Sequence, residues 1–260
     1  MTATRIVAVM PLWQRHALTA LVLRQWHRQI HRLRGTVDVH LVCVGSEGAK
    51  SSALVTGYTD VMSYCEIAND PLNRKWQHGV TVARALAPDA VMIVNSDDLL
   101  SDSLWLAWRE RVVADVPFFG LRDLFFFDAI TQELGYWPGY GPQGGQPHRA
   151  GEPIGCARCY TRAALDALDW ELWPDAPVRN NGLDGASSVH LAQHGIHPVT
   201  VGLEEVGAKA VDIKTDVGIT TFARIPRTRT VRGADALAYL ADLVDEAGME
   251  QLRTQWRAIA

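Results

Sequence analysis

Short apolar runs alternate with amphipathic segments along the first 115 residues, and this alternation restricts the fold more than any other feature. Apolar residues recur at helical spacing in 16–33 and again in 74–87. The apolar runs between and around them are 5–10, 37–44, 60–67 and 91–94. Their lengths are typical of strands. This order predicts a mostly parallel sheet with right-handed crossovers and flanking helices, an α/β fold.

The second half of the chain is less regular. Helices are predicted for 101–113, 159–168 and 182–194, one or two strands for 116–128, and a short strand for 211–215. The segment 136–153 is rich in glycine, proline and aromatic residues, and it predicts a long loop of the kind that covers or binds ligands. The tail 234–259 predicts two helices separated at Gly248. No repeat or linker divides the chain, so we expect a single domain, 1–260.

The charge pattern limits the partners of this protein. A net charge of −4 excludes a uniformly basic nucleic-acid binder. The charges are unevenly spread, because six arginines precede the first acid, Asp38. A second basic cluster consists of Arg224, Arg227, Arg229 and Arg232. Each group is either a solvated face or part of a surface that flanks a polyanionic ligand.

Neither a membrane span nor a disulfide framework is expected. No apolar run approaches the ~20 residues that cross a bilayer, and the N-terminus lacks a signal-peptide pattern. We therefore expect a cytoplasmic protein without a membrane partner. Cys156 and Cys159 have C-x-x-C spacing, but no second pair of ligands completes a zinc site.

Two adjacent carboxylates follow the fourth predicted strand. The apolar run 90–94 leads into Asp97 and Asp98, and Ser101 then opens a helical pattern. In open α/β sheets, ligands bind just past the carboxyl ends of strands. A carboxylate pair at that position is suited to a divalent cation shared with substrate phosphates. The alternative is that both residues only form a turn and cap the next helix.

Three segments together resemble a known family. The run 7–15 (Val-Ala-Val-Met-Pro-Leu-Trp-Gln-Arg) leads into a helix, and 69–83 contains Lys75-Trp76 and Gly79. Asn95-Ser96-Asp97-Asp98 stands where that family has its D-x-D motif. The chain thus resembles GT-A fold glycosyltransferases, closest to the large inverting family that includes cellulose and chitin synthases. It departs from the motif at Asn95, where the family has an aspartate.

The resemblance implies transfer of a sugar from a nucleotide-diphosphate donor, with a UDP-sugar favoured, to an acceptor hydroxyl. It divides the chain into a nucleotide-sugar-binding half (1–115), an acceptor-binding half (116–233) and C-terminal helices (234–260). Mn²⁺ or Mg²⁺ would bridge the diphosphate and the metal ligands Asp97 and Asp98. The expected donor-binding residues are Pro11, Arg15, Asp60, Lys75, Asn95, Asp97 and Lys214.

An inverting transfer also needs a general base for the acceptor hydroxyl. In the family this is a carboxylate that opens a helix after the acceptor loop, and Asp184 fits that context. The alternative for Asp184 is a helix cap, and Asp123 is the second candidate base. The expected acceptor-binding residues are Trp137, Tyr140, Gly155 and Arg158. The third metal ligand is left open, with His190, His194 and His197 as candidates.

The acceptor is left open among several classes. The aromatic loop and the Asp-Ile-Lys-Thr segment resemble small glycosyltransferases of bacteriophages and prophages, some of which glycosylate hydroxymethylated bases in DNA. Basic clusters for phosphates and rings for an extruded base would suit such a target. Polysaccharide, protein and small metabolites are the other acceptor classes. A catalytically inactive, GT-A-like nucleotide-sugar-binding module is the main rival, because Asn95 replaces a motif aspartate.

Overall fold

The computed structural model describes residues 3–174, 180, 182–215 and 221–254. Its helices are α1 (His16–Leu33), α2 (Ala49–Ser52), α3 (Leu72–Arg84), α4 (Asp102–Val113), α5 (Arg162–Ala167), α6 (Leu183–Gln193), α7 (Ala234–Leu240) and α8 (Glu246–Thr254). Its strands are β1 (Thr4–Pro11), β2 (Val37–Gly45), β3 (Met62–Glu66), β4 (Ala90–Ile93), β5 (Asp98–Leu100), β6 (Phe118–Leu121), β7 (Leu124–Asp128), β8 (Glu133–Trp137), β9 (Arg158–Thr161), β10 (Val199–Val201), β11 (Ala210–Lys214) and β12 (Arg229–Arg232).

Seven strands form the central sheet, in the order β10-β6-β9-β4-β1-β2-β3. The strands β1 to β4 run parallel, and Ile6 of β1 pairs with Val39 of β2 and Ala90 of β4. Because these strands are parallel, their carboxyl ends meet at one edge of the sheet. Ligands bind at that edge in open α/β sheets.

Five strands form a second sheet, in the order β12-β8-β7-β11-β5. The strand β11 runs parallel to β7 and antiparallel to β5. Since β5 begins directly after the turn that follows β4, this sheet starts at the ligand-binding edge of the first. It therefore adds residues from the second half of the chain to that edge.

The strand β1 is buried on both faces, and successive residues point to opposite sides. Ile6, Ala8 and Met10 pack with the apolar stripe of α1. Val7 and Val9 pack with α3 on the other face. The α1 cluster also contains Phe127 of β7 and Ile213 of β11, so one hydrophobic core joins the two sheets, as expected for a single domain.

Most of the expected elements are confirmed, with three corrections. The segment 159–168 was expected to be a helix, but its first residues form β9, and α5 begins only at Arg162. The strand β9 lies between β4 and β6 and is antiparallel to both, so pairing with the sheet outweighs its local helical pattern. The expected loop at 136–153 is also shorter by two residues, because β8 extends to Trp137.

The break between the C-terminal helices lies before Gly248 and not at it. The helix α7 ends at Leu240, and Gly248 is inside α8. The Gly248 N–H donates to Asp245 Oδ1 at 2.8 Å, so Asp245 caps the start of α8. The expected continuation of this helix to 259 lies outside the described residues beyond 254. None of the described helices has the length and apolar character needed to cross a membrane.

Candidate active site

The expected carboxylate pair lies just past the carboxyl end of β4. Asn95 closes the turn, because its backbone N–H and its Nδ2 both donate to Asp98 Oδ2, at 2.7 and 3.1 Å. The turn interpretation therefore holds for Asp98. The helix-cap interpretation is wrong for both aspartates, since α4 begins at Asp102 with Ser101 at its N-cap position.

Asp212 joins this pair as a third buried carboxylate. The antiparallel pairing of β5 with β11 places Asp212 opposite Asp98. Carboxylate oxygens of Asp97, Asp98 and Asp212 all lie within 4.8 Å of one another, and all three residues are buried. Only Lys214 of this strand was expected from the sequence. The signal for Asp212 is the two-residue period of a strand, which puts 212 and 214 on the same face.

Two cations lie against these carboxylates. Arg15 Nη1 is 2.6 Å from Asp97 Oδ2, and Lys214 Nζ is 2.7 Å from Asp212 Oδ2 and 3.6 Å from Asp97 Oδ2. Arg15 adopts a left-handed backbone conformation, with φ of 45°, immediately before α1. This uncommon conformation marks the junction where the chain leaves β1 and turns into the helix. Arg15 comes from the first half of the chain and Lys214 from the second, and both contact Asp97.

Burial and mutual repulsion shift the pKa values of the three carboxyls apart. Burial opposes the ionisation of Asp97, but the charges of Lys214 and Arg15 outweigh it and lower the pKa. Burial together with the charge of Asp97 raises the pKa of Asp98 to about 7. The same two causes raise the pKa of Asp212 well above its usual value. Lys214 is itself buried, yet Asp212 and Asp97 raise its pKa and keep it charged.

The cluster fits a hard divalent cation. Among the described residues, no N–H or O–H group donates a hydrogen bond to Asp98 Oδ1 or Asp212 Oδ1, although both atoms are buried. Buried carboxylate oxygens are normally paired or coordinate a metal. Mn²⁺ and Mg²⁺ prefer carboxylate oxygens as ligands. Asp97, Asp98 and Asp212 are therefore the residues that could hold such an ion.

A cavity of about 640 Å³ connects this cluster to the second half of the chain, and we call it the cleft. Asn95, Asp212 and Lys214 line it together with Asp184. Trp137, Tyr140 and Gly155, which were expected to bind the acceptor, line it as well. The structure thus brings donor-side, acceptor-side and candidate base residues into one space.

Asp184 is held in place by two side chains of the long loop. It lies in the first turn of α6, and its Oδ2 accepts hydrogen bonds from the Tyr140 hydroxyl and from Arg149 Nη2, the latter at 2.9 Å. Burial opposes its ionised form, but the charges of Arg158 and Arg149 outweigh burial and lower the pKa. The helix-cap alternative is wrong, because Gly182 occupies the N-cap position.

The loop between β8 and β9 is ordered around aromatic rings. Trp137 Nε1 donates to the Gly144 carbonyl at 2.8 Å, and the Trp137 ring meets that of Tyr140 edge to face at 5.2 Å. The Arg149 guanidinium lies 3.6 Å above the centre of the Tyr140 ring. A Cβ at Gly144 would lie 1.7 Å from the Gly139 carbonyl oxygen, so only glycine fits there. These contacts give the acceptor side a defined shape.

Lys75 is buried beneath the donor side and does not line the cleft. Its Nζ donates to the Leu12 carbonyl at 2.6 Å, to Ser46 Oγ at 2.9 Å and to Asn69 Oδ1 at 3.0 Å. These acceptors follow β1, β2 and β3, so one ammonium ties together three loops at the carboxyl edge of the sheet. Pro11, the last residue of β1, lies at the same edge. Burial lowers the pKa of Lys75 to about 8.

Asp60 is not part of this assembly, which corrects one donor-side expectation. It precedes β3, whereas the cleft lies past the carboxyl ends of the parallel strands. Its carboxylate contacts His27 and His31 in the second half of α1. A contact between Asp60 and the nucleoside is therefore contradicted by its position at the opposite edge of the sheet.

Asp123 and Arg158 also have other roles than expected. Asp123 is buried, and it accepts hydrogen bonds from the Tyr136 hydroxyl at 3.0 Å and the Leu203 N–H at 2.9 Å, away from the cleft lining. Arg158 is 2% exposed, and it donates to the carbonyl oxygens of Ile154 and Asp184. Its guanidinium fixes α6 against the start of β9. Arg158 is therefore a positioning residue without access to an acceptor.

The histidines of α6 do not reach the carboxylates. His190 and His194 contact each other across one helical turn, and His197 is exposed beyond the helix. In the described carboxylate cluster, the third possible metal ligand is Asp212 and not a histidine. All six early arginines form ion pairs with acids, which offset their charge. The pairs are Arg5 with Asp38, Arg15 with Asp97, Arg24 and Arg28 with Asp245, Arg32 with Asp102, and Arg34 with Asp60.

No protein-family model and no curated protein matches the chain, but solved structures do. Mannosyltransferase PcManGT from Pyrobaculum calidifontis, in complex with GDP-Man and Mn²⁺, is 14% identical with a TM-score of 0.55. The match covers 86% of this chain and 60% of the mannosyltransferase. TarS from S. aureus, in complex with UDP-GlcNAc, is 10% identical with a TM-score of 0.57, over 97% of this chain and 71% of that one.

The chain has the GT-A fold. The resemblance to GT-A fold glycosyltransferases is thereby confirmed for the fold. The chain spans less than two thirds of the length of the mannosyltransferase.

Proposed function

We propose that this chain is an inverting glycosyltransferase that moves a sugar from a nucleotide-diphosphate donor to an acceptor hydroxyl. One observation carries the proposal: the cleft joins a cluster of buried carboxylates to a separate carboxylate, Asp184, within a GT-A fold. The carboxylate cluster suits a cation and a diphosphate, and Asp184 is suited to act as the proton acceptor. Nucleotide sugars in the similar structures support the same interpretation.

The donor lies against the first half of the chain, 1–115, in this proposal. Lys214 supplies a fixed positive charge next to the diphosphate, and Arg15 orients Asp97. Asn95 lines the cleft and keeps Asp98 in its turn. A Mn²⁺ or Mg²⁺ ion held by Asp97, Asp98 and Asp212 would neutralise the charge that builds up on the departing diphosphate. A UDP-sugar is the first donor to test.

The acceptor lies against the second half, 116–233. Asp184 takes the proton of the acceptor hydroxyl as that oxygen attacks the sugar. Tyr140 and Arg149 hold its carboxylate in a fixed orientation, and its lowered pKa keeps it ionised at neutral pH. Trp137 offers an aromatic surface beside it, on which a sugar or base ring could pack.

A hydroxymethylated base in DNA is the acceptor that we propose to test first. Arg224 of the basic cluster lines the cleft, Arg229 is exposed, and Arg232 is exposed but pairs with Glu133 at 2.8 Å. A cation in the lining of a cleft favours a polyanionic acceptor. Polysaccharide, protein and small-molecule acceptors are tested in parallel.

Thermal unfolding with UDP, GDP and their glucose, galactose and mannose conjugates, with and without Mn²⁺, tests the donor site. A ligand at 100 times its dissociation constant stabilises the native state by about 2.7 kcal/mol, or roughly 5–10 °C for a chain of this size. A shift that needs both one nucleotide and Mn²⁺ would support the proposal. The absence of any shift with every donor would contradict it.

Turnover separates the enzyme from an inactive binding module. We expect release of the nucleoside diphosphate in the wild type and not in the Asp97→Asn variant. A donor that binds with Mn²⁺ but is neither hydrolysed nor transferred to any acceptor class would favour the binding module.

A further inference from the structure

A second group of metal-ligating side chains lies outside the cleft, at the opposite edge of the seven-stranded sheet. His27 and His31 are four residues apart on α1, so their rings lie on the same side of the helix. Asp60, two residues before β3, reaches both of them. None of these side chains has a role in the proposed transfer reaction.

The ligand atoms of these three side chains lie within 4.8 Å of one another. The two histidine Nε2 atoms are 3.0 Å apart. Asp60 Oδ1 lies 3.2 Å from His27 Nε2, and Asp60 Oδ2 lies 2.8 Å from His31 Nε2. A tetrahedral zinc ion with bonds of about 2.0–2.1 Å separates its ligand atoms by about 3.3 Å. The group is therefore close to the spacing of a zinc site before any movement.

Hydrogen bonds alone satisfy this geometry poorly. Each neutral imidazole has one N–H and one acceptor nitrogen. If both Nε2 atoms donate to Asp60, two N–H groups face each other at 3.0 Å. If one Nε2 donates its hydrogen to the other instead, that nitrogen has no hydrogen left for its hydrogen bond to Asp60. A cation between the three side chains satisfies both nitrogens and the carboxylate at once.

We propose that His27, His31 and Asp60 form a zinc-binding site. Imidazole nitrogens with a carboxylate are a donor set that zinc accepts, whereas Mn²⁺ and Mg²⁺ prefer all-oxygen sets such as the aspartates of the cleft. The side chains are between one quarter and one half exposed, so an ion reaches them directly from solvent. Three protein ligands leave the fourth position to water or to a partner.

Neighbouring residues act on this site in opposite directions. The Tyr58 ring packs against the His27 ring at 4.8 Å and limits its rotation, which favours binding. Arg34 Nη2 lies 3.5 Å from Asp60 Oδ2, and its positive charge opposes a bound cation. Removing the Arg34 charge should therefore strengthen zinc binding. If the three side chains were only a hydrogen-bonded cluster, the same change would simply remove one partner of Asp60.

The bound ion would fasten the last turns of α1 to the segment that precedes β3. The other end of α1 begins directly after Arg15, which contacts Asp97 at the cleft. Zinc would therefore stabilise the helix that supports the donor side without touching the cleft. Binding of a metal by the folded chain adds directly to the stability of the fold.

The test is a titration of the full chain, free of any histidine tag, with Zn²⁺ in competition with a chromogenic chelator. The variants are His31→Gln, Asp60→Asn and Arg34→Gln. The matched control is His190→Gln, because His190 and His194 have the same spacing and rings 4.7 Å apart, but no described carboxylate joins them. Asp97→Asn controls for zinc in the cleft.

We expect one site whose affinity falls at least tenfold in His31→Gln and Asp60→Asn. It should stay unchanged in His190→Gln and Asp97→Asn, and rise in Arg34→Gln. Zinc should raise the unfolding temperature of the wild type but not of His31→Gln, and unfolding without zinc shows whether each variant is folded. Equal affinity in His31→Gln and the wild type would overturn the proposal, as would an equal loss in His190→Gln. These outcomes do not depend on the proposed transfer activity.

Discussion

Asp212 lies opposite Asp98 across the antiparallel pair of β5 and β11, and both carboxylates meet that of Asp97. Three buried acids so close together repel one another, and two neighbouring cations offset only part of that repulsion. The raised pKa values of Asp98 and Asp212 are the result. A cation between them would remove this repulsion, which links the stability of the cleft to ligand binding.

Asp212→Asn should weaken Mn²⁺ binding about tenfold or more, equivalent to ~1.4 kcal/mol, because the cluster loses one of three charged ligands. Isothermal titration with Mn²⁺ measures this directly. Asp123→Asn is the matched control, since Asp123 is an equally buried acid outside the cleft. Equal Mn²⁺ affinity in Asp212→Asn and the wild type would remove Asp212 from the site.

Asp184→Asn should lower the transfer rate by about 10²–10⁴ while leaving donor binding unchanged, because a general base contributes roughly that factor. Steady-state release of nucleoside diphosphate, with donor affinity measured separately, checks both parts. Tyr140→Phe keeps the carboxylate but removes one hydrogen bond to it, so a smaller loss is expected. Full activity in Asp184→Asn would exclude the assigned role.

Because of Lys75, the free energy of unfolding should vary with pH in the alkaline range. Its pKa is lowered to about 8 by burial, so between pH 8 and about 10.5 the unfolded chain binds more protons than the folded one. Stability contributed by this residue therefore rises with pH across that window, by on the order of 2–3 kcal/mol. The measurement is urea unfolding at pH 7.5 and 10, under reducing conditions.

Lys75→Met is the comparison that isolates this effect from cysteines and tyrosines titrating in the same range. The free energy of unfolding of the wild type, minus that of the variant, should be larger at pH 10 than at pH 7.5. A difference that stays constant or shrinks would show that the ammonium is not destabilised by burial.

Local periodicity was sufficient for the parallel half of the fold. The helix α1 was expected at 16–33 and is found at His16–Leu33, because its apolar stripe starts and stops with the helix. The strand β9 could not be found in this way, since it is buried on both faces and shows no alternation. Its place between β4 and β6 depends on strands that are distant in the sequence.

The direction of the chain along a strand was a sufficient guide for Asp97, which follows the parallel strand β4 and lies at the ligand edge. The same rule places Asp60, which precedes β3, at the other edge, and the expectation that Asp60 binds the donor did not apply it. Asp212 and Arg158 depend on tertiary pairing: the first lies in the cleft because β11 pairs with β5, and the second is buried because the Ile154 and Asp184 carbonyls converge on it. No local pattern specifies either contact.

Gly79 allows α3 to pack closely on the sheet, and its replacement tests that packing. A Cβ there would lie 2.3 Å from Val9 Cγ1 and 2.8 Å from Val44 Cγ2. Alanine favours a helix over glycine by about 0.5–1 kcal/mol, whereas overpacking costs about 1–3 kcal/mol. We therefore expect Gly79→Ala to destabilise the chain in urea unfolding. Gly57→Ala is the control, because nothing lies within 4 Å of its added Cβ. A more stable Gly79→Ala variant would mean that α3 lies farther from β1 than these distances indicate.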